Sequence, residues 1–151
     1  MEYITSFYTE ALYMSYFRKK SIWVYHFNSG GCNGCDIEFV DALTPKYDVE
    51  RLGVQLVSSP RHADVLVVTG PITTMAARAL RNIYEQIPEP KKVIALGTCA
   101  CTGGIFAGGY NVIGGADKVI PVDVKIPGCP AHPGVFLKAL ARLAGVERDG
   151  G

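Results

Sequence analysis

Short runs of β-branched and aliphatic residues alternate along this chain with longer stretches in which apolar side chains return every three or four positions. The runs at 22–27, 54–57, 65–68, 93–96 and 122–126 read as strands. Several are continuously apolar, as expected of strands covered on both faces. Between the third and fourth runs, Met75, Ala76, Ala79, Leu80, Ile83 and Ile87 mark one side of a crossover helix, with Arg78, Arg81 and Glu85 largely on other sides. After Pro133, which suits a first helical turn, Val135, Phe136, Ala139, Leu140 and Leu143 form a second stripe that Gly145 can end. This alternation predicts an α/β domain with a mainly parallel sheet over 21–146. Ahead of it, residues 1–20 form a separate amphipathic helix candidate: Ile4, Phe7, Tyr8, Ala11 and Leu12 near helical spacing, closed by Arg18, Lys19 and Lys20. Such a segment either packs on its own domain or docks on a partner or a membrane interface. Residues 147–151 read as a frayed tail.

At 151 residues and 48% hydrophobic, the chain supports one core. A net charge of +1 provides no broad field for nucleic acid or an acidic polymer, so partners must be recognised by local surface. The N-terminus lacks the order of a signal peptide, and no run approaches the ~18 to 20 apolar residues of a membrane span. Five cysteines, an odd number without an export signal, point to a reducing compartment and metal ligation rather than disulfides.

The cysteines fall where chemistry is expected. SGGCNGC, TGP, GTCAC and PGCP each follow a predicted strand and should share one sheet edge, where the loops of parallel sheets converge on ligands. Cys32 and Cys35 have the two-residue spacing that lets one loop bind one centre with two thiolates. Zinc sites and thiol redox proteins use the same spacing. Cys99 and Cys129, each set among small or rigid residues, shift the balance toward one 4Fe-4S cluster held by four thiolates from three loops. A closed four-cysteine zinc site, making this a zinc-stabilised interaction module, is the nearest alternative. A thioredoxin-like pair would leave the remote cysteines unused and expects a helix-only context that does not follow Cys35. Cys101 competes with Cys99 for the ligand position; Cys99, directly after Gly97 and Thr98, is favoured, and Cys101 reads as a buried small residue. Residues 103–115 are glycine-rich but match neither a phosphate loop nor G-x-G-x-x-G, so no nucleotide is assigned. Glu38 is a candidate proton relay or a helix-start carboxylate, and Asp36 and Asp41 read as helix N-terminal or surface charges. His62 and His132 read as hydrogen-bonding turn residues without a ligand role.

Taken together, NSGGCNGCDIE, SPRHADVLVVTGP, ALGTCACTGG and PGCPAHP resemble the small subunit of [NiFe]-hydrogenases, especially the membrane-bound energy-converting kind, and its relative in respiratory complex I. The resemblance runs from about Ser21 to Gly145. It implies a flavodoxin-like domain carrying the proximal 4Fe-4S cluster, with Cys32, Cys35, Cys99 and Cys129 matching the family's ligands and Glu38 an acidic position after the first pair. The complex I branch carries two adjacent cysteines where this chain has C-N-G-C, so the hydrogenase branch fits better. Cysteines for further clusters are missing here, which implies a ferredoxin-like partner subunit that carries them. The resemblance also implies a NiFe-bearing large subunit, integral membrane ion-translocating subunits, soluble ferredoxin as donor, and a peripheral place on the cytoplasmic face of the membrane. A quinone- or sulfur-linked relative and a free-standing cluster carrier are the other redox readings.

Overall fold

A computed structural model describes residues 21–143; the predicted amphipathic segment 1–20 and the tail 147–151 lie outside the described residues. Five strands, β1 (Ile22–Asn28), β2 (Val54–Leu56), β3 (Val65–Thr69), β5 (Lys92–Leu96) and β7 (Val124–Ile126), form one parallel sheet in the order β2-β1-β3-β5-β7. That is the 2-1-3-4-5 order of flavodoxin-like doubly wound folds. Two short strands, β4 (Ile72–Thr73) and β6 (Val112–Gly114), pair antiparallel beside it.

The central strand explains the continuous apolar runs. In β3, Val65 and Val67 enter one core while Leu66 and Val68 enter the other, and all four are fully buried. The first core is closed by α1 (Gly34–Ala42) and α4 (Pro133–Leu143), through Phe39, Phe136 and Leu140; the Phe39 and Phe136 rings meet edge to face at 5.3 Å. The second is closed by α2 (Thr74–Gln86) and α3 (Thr98–Thr102), through Ala77, Leu80, Ala100 and Cys101. Helices on both faces leave only the strand ends open.

Local differences from the sequence expectation have physical causes. β7 starts at Val124 rather than at residue 122, because the Asp123 carboxylate takes the Val93 N–H (2.8 Å) while the Asp123 N–H donates to the Val93 carbonyl (3.0 Å). The buried side of α2 is Ala77 and Leu80, continued by Ile87, so Met75 and Ala79 of the expected stripe point outward. Cys35 stands in the first turn of α1, which begins at Gly34, so a helix does follow the pair and carries Asp36 and Glu38.

The start of α2 is fixed by Thr73, whose side chain accepts from the Ala76 N–H at 3.2 Å. Thr73→Ala is expected to lower stability by about 1 kcal/mol, read as a fall in thermal midpoint.

Candidate metal centre

The loop after β1 is built to cross the end of β3. The Asn28 side-chain oxygen accepts from the N–H groups of Gly30 (2.8 Å) and Gly31 (2.9 Å), closing a tight turn. The buried Ser29 hydroxyl lies 2.8–3.0 Å from the carbonyls of Thr69, Gly70 and Pro71. Gly70 has a φ of +80°, and a β-carbon there would run into the backbone of Gly31. Two glycines passing at backbone distance thus let the Cys32–Cys35 loop reach over β3 toward β5.

There it meets the second loop. Gly97 (φ +93°) ends β5, and a β-carbon on it would overlap the Cys35 sulfur. Cys99 stands in the first turn of α3, its sulfur over Gly104, where a β-carbon would fall 3.1 Å away. The third loop is tied to the second through Thr98: its N–H donates to the Gly128 carbonyl (2.9 Å) and its hydroxyl oxygen accepts from the Gly128 N–H (3.0 Å). Gly97 N–H also donates to the Ile126 carbonyl at 2.7 Å, which sets Cys129 beside the other two loops.

Cys32, Cys35, Cys99 and Cys129 are thus brought to one edge, Cys32 and Cys129 exposed and the other two half-buried. Burial pushes the Cys35 thiol above its ordinary pKa, opposed by the Ala131 N–H and reinforced by Cys32, Asp36 and Cys129. Cys99 is raised by burial and then by Cys129, Cys35 and Cys32, so its thiol senses the other three. Cys101 is different: it is 5% exposed, inside the second core, and its sulfur lies 3.5 Å from the Ala95 carbonyl. Residues two apart on a helix do not share a face, and α3 turns Cys99 to the edge and Cys101 inward.

Glu38 is half-buried on α1, three residues beyond Cys35. His62 stands ahead of β3, at the opposite end of the sheet, edge-on to Trp23 at 6.2 Å. His132 Nδ1 accepts from the Gly134 N–H (3.0 Å) at the start of α4, a capping role. The sequence reading missed a polar network. Asp36, expected as a helix-end or surface charge, turns its carboxylate to His26, Asn28 and Thr69 on the strands. The available signal was polar residues at alternate positions, His26 and Asn28, at the end of an otherwise apolar strand.

Among the described residues, no three His, Cys, Asp or Glu side chains crowd closely enough to hold a single ion. The fit of a metal group rests instead on the converging loops and the donor set. Four cysteines are the donors of an iron-sulfur cluster, and glycine replaces a side chain where Cys35 and Cys99 point.

Similarity to known proteins is extensive. A probable membrane-bound hydrogenase subunit of Pyrococcus furiosus is 52% identical over 129 residues, covering 83% of this chain and 77% of that protein. A subunit of the NADH-quinone oxidoreductase of Clostridium beijerinckii is 45% identical over 131 residues, covering 86% and 76%. Among solved structures, the membrane-bound sulfane sulfur reductase, an archaeal respiratory membrane complex, contains a chain that superposes with a TM-score of 0.72 at 38% identity, covering 89% of this chain and 77% of that one. These relatives belong to oxidoreductase complexes, and this chain is an oxidoreductase subunit of the hydrogenase or complex I kind. The model of the NADH ubiquinone oxidoreductase 20 kDa subunit matches residues 32–143, from the first cysteine of the edge to the end of α4, and the chain belongs to that family.

Proposed function

We propose that this chain is the electron-transfer small subunit of an energy-converting [NiFe]-hydrogenase, holding one 4Fe-4S cluster through Cys32, Cys35, Cys99 and Cys129. The observation that supports the reading is the convergence of three cysteine-bearing loops on one sheet edge, with the fifth cysteine turned into the core. When bound, the cluster supplies one-electron transfer. The chain's own residues do the rest. Gly97 and Gly104 leave room at two sulfurs, Thr98 locks the second and third loops together, and the sheet holds all three at fixed spacing.

The same edge offers a docking surface. Ile105 and Tyr110, in the segment that follows Cys99, and Met75 at the start of α2 are 89%, 99% and 87% exposed. Thr74 N–H donates to the Asn111 carbonyl (2.9 Å) and keeps the two segments adjacent. Apolar side chains around a redox edge support contact with a NiFe-bearing large subunit, with the cluster in the proximal position. The hydrogenase reading is favoured over the quinone-linked one by C-N-G-C and by 52% against 45% identity. A sulfur-linked complex is the second reading, favoured by the similarity to the sulfane sulfur reductase. Among the described residues no helix is long and apolar enough to cross a membrane. A peripheral position on the cytoplasmic face, beside ion-translocating membrane subunits and a ferredoxin-like subunit fed by soluble ferredoxin, completes the proposal.

The test is metal analysis of the native complex, isolated anaerobically through this chain. Iron with nickel is the expected result. Iron without nickel would transfer the chain to a quinone- or sulfur-linked complex. Zinc without iron would make it a zinc-stabilised module and sink the cluster.

A further inference from the structure

Asp36 follows Cys35 in the first turn of α1, where a carboxylate is favoured by the free N–H groups of the helix end. Its side chain is directed to the strands instead. One oxygen accepts from the Thr69 hydroxyl at 2.5 Å and meets His26 Nε2 at 2.9 Å; the other accepts from the Asn28 amide. His26 Nε2 also lies 3.0 Å from the Thr69 hydroxyl, and its ring stacks on Phe39 with centroids 4.9 Å apart. Asn28 is itself fixed, since its oxygen is occupied by Gly30 and Gly31, leaving the NH2 group to face Asp36. An ionised carboxylate is acceptor-only, and here it meets a hydroxyl and an amide that both donate. Its side chain is 19% exposed and that of His26 22%, so solvent screens the charge only in part.

We propose that Asp36 is a potential-setting residue. Held by His26, Asn28 and Thr69 one residue after Cys35, its negative charge opposes the arrival of an electron at the sulfur-bound cluster and lowers the midpoint potential of this site. The inference rests on the cluster reading above. One electron enters on reduction. The same charge adds to the upward push that burial begins on the Cys35 thiol. A charge held next to a ligand tunes a metal centre without bonding to it, and its removal favours the more negative, reduced state.

The experiment is potentiometric titration of the assembled complex with dithionite as reductant, following the electron paramagnetic resonance signal of the reduced cluster. At the native midpoint, Asp36→Asn is expected to shift the reduced-to-oxidised ratio about tenfold toward reduced, which is about 59 mV for a one-electron couple. The exchange Asn28→Asp with Asp36→Asn returns a carboxylate to the same pair, still able to accept from Gly30 and Gly31, and is expected to bring the ratio back near its native value. A native midpoint in Asp36→Asn, or an exchange variant that stays shifted, would overturn the proposal; a purely structural role would change cluster content and leave the midpoint of the remaining clusters unmoved. If the new amide, opposed to the Asn28 amide, prevents cluster assembly, Asp36→Ser carries no opposing NH2 group and is read by the same two outcomes. A native complex without iron would instead bring down the cluster reading, and this inference with it.

Discussion

With the ligand set proposed above, Cys99→Ser is expected to abolish iron binding by this chain, while Cys101→Ser leaves iron at the native level. The two cysteines are separated by one residue, and only their side-chain directions distinguish them. Cys99 faces the edge beside Gly104 and is within electrostatic reach of the other three edge thiols. Cys101 is buried against Ala95 and Ala100, and serine there can donate to the same Ala95 carbonyl. Losing a thiolate ligand removes a metal bond outright, and even loss of a supporting partner costs roughly 10–100-fold in affinity. Cys101→Ser costs about 1 kcal/mol of stability, from a slightly altered buried contact. Iron and acid-labile sulfide assays on both variants, purified anaerobically in the complex, check the pair; iron lost only from Cys101→Ser would reverse the assignment.

Gly97→Ala should be the most damaging of the small substitutions. A β-carbon at a φ of +93° costs about 1–3 kcal/mol in backbone strain. It would also overlap the Cys35 sulfur, so the first and second loops must separate to admit it. Stability and ligand geometry fall together. The expected results are a lower denaturant midpoint with an unchanged slope and a chain that no longer retains iron. Native iron content in the Gly97→Ala protein would show that the loops need not approach as closely as described.

The parts of the fold that were readable in the sequence are those whose burial leaves a long pattern. β3 is legible because both its faces are covered, and α4 because Phe136 and Leu140 recur on one side. α1 is not, because it has nine residues and leaves Ile37 and Val40 exposed while burying Phe39 and Ala42. A helix that presents apolar side chains outward as well as inward has no stripe to read. α3 and the β4–β6 pair are shorter still, two to five residues each, and are fixed by tertiary contacts rather than local propensity. The thiols could be placed on one edge because parallel topology sends every strand's end the same way. The choice between Cys99 and Cys101 and the orientation of Asp36 depended on a helix start and on cross-strand partners, which spacing does not encode.

The order in which the edge is assembled also governs how the protein can be made. Cys32 and Cys35 leave the ribosome early, and Cys129 follows only after β5 and α3 have been synthesised. Its loop is held by Thr98, and its strand, β7, is one of the two edge strands of the sheet. A nascent chain stalled before β7 therefore offers three of the four edge thiols and leaves β5 without its outer neighbour. On the cluster reading proposed above, the full set of four thiols is in place only once β7 has joined the sheet, so a chain truncated before it is expected to hold no cluster.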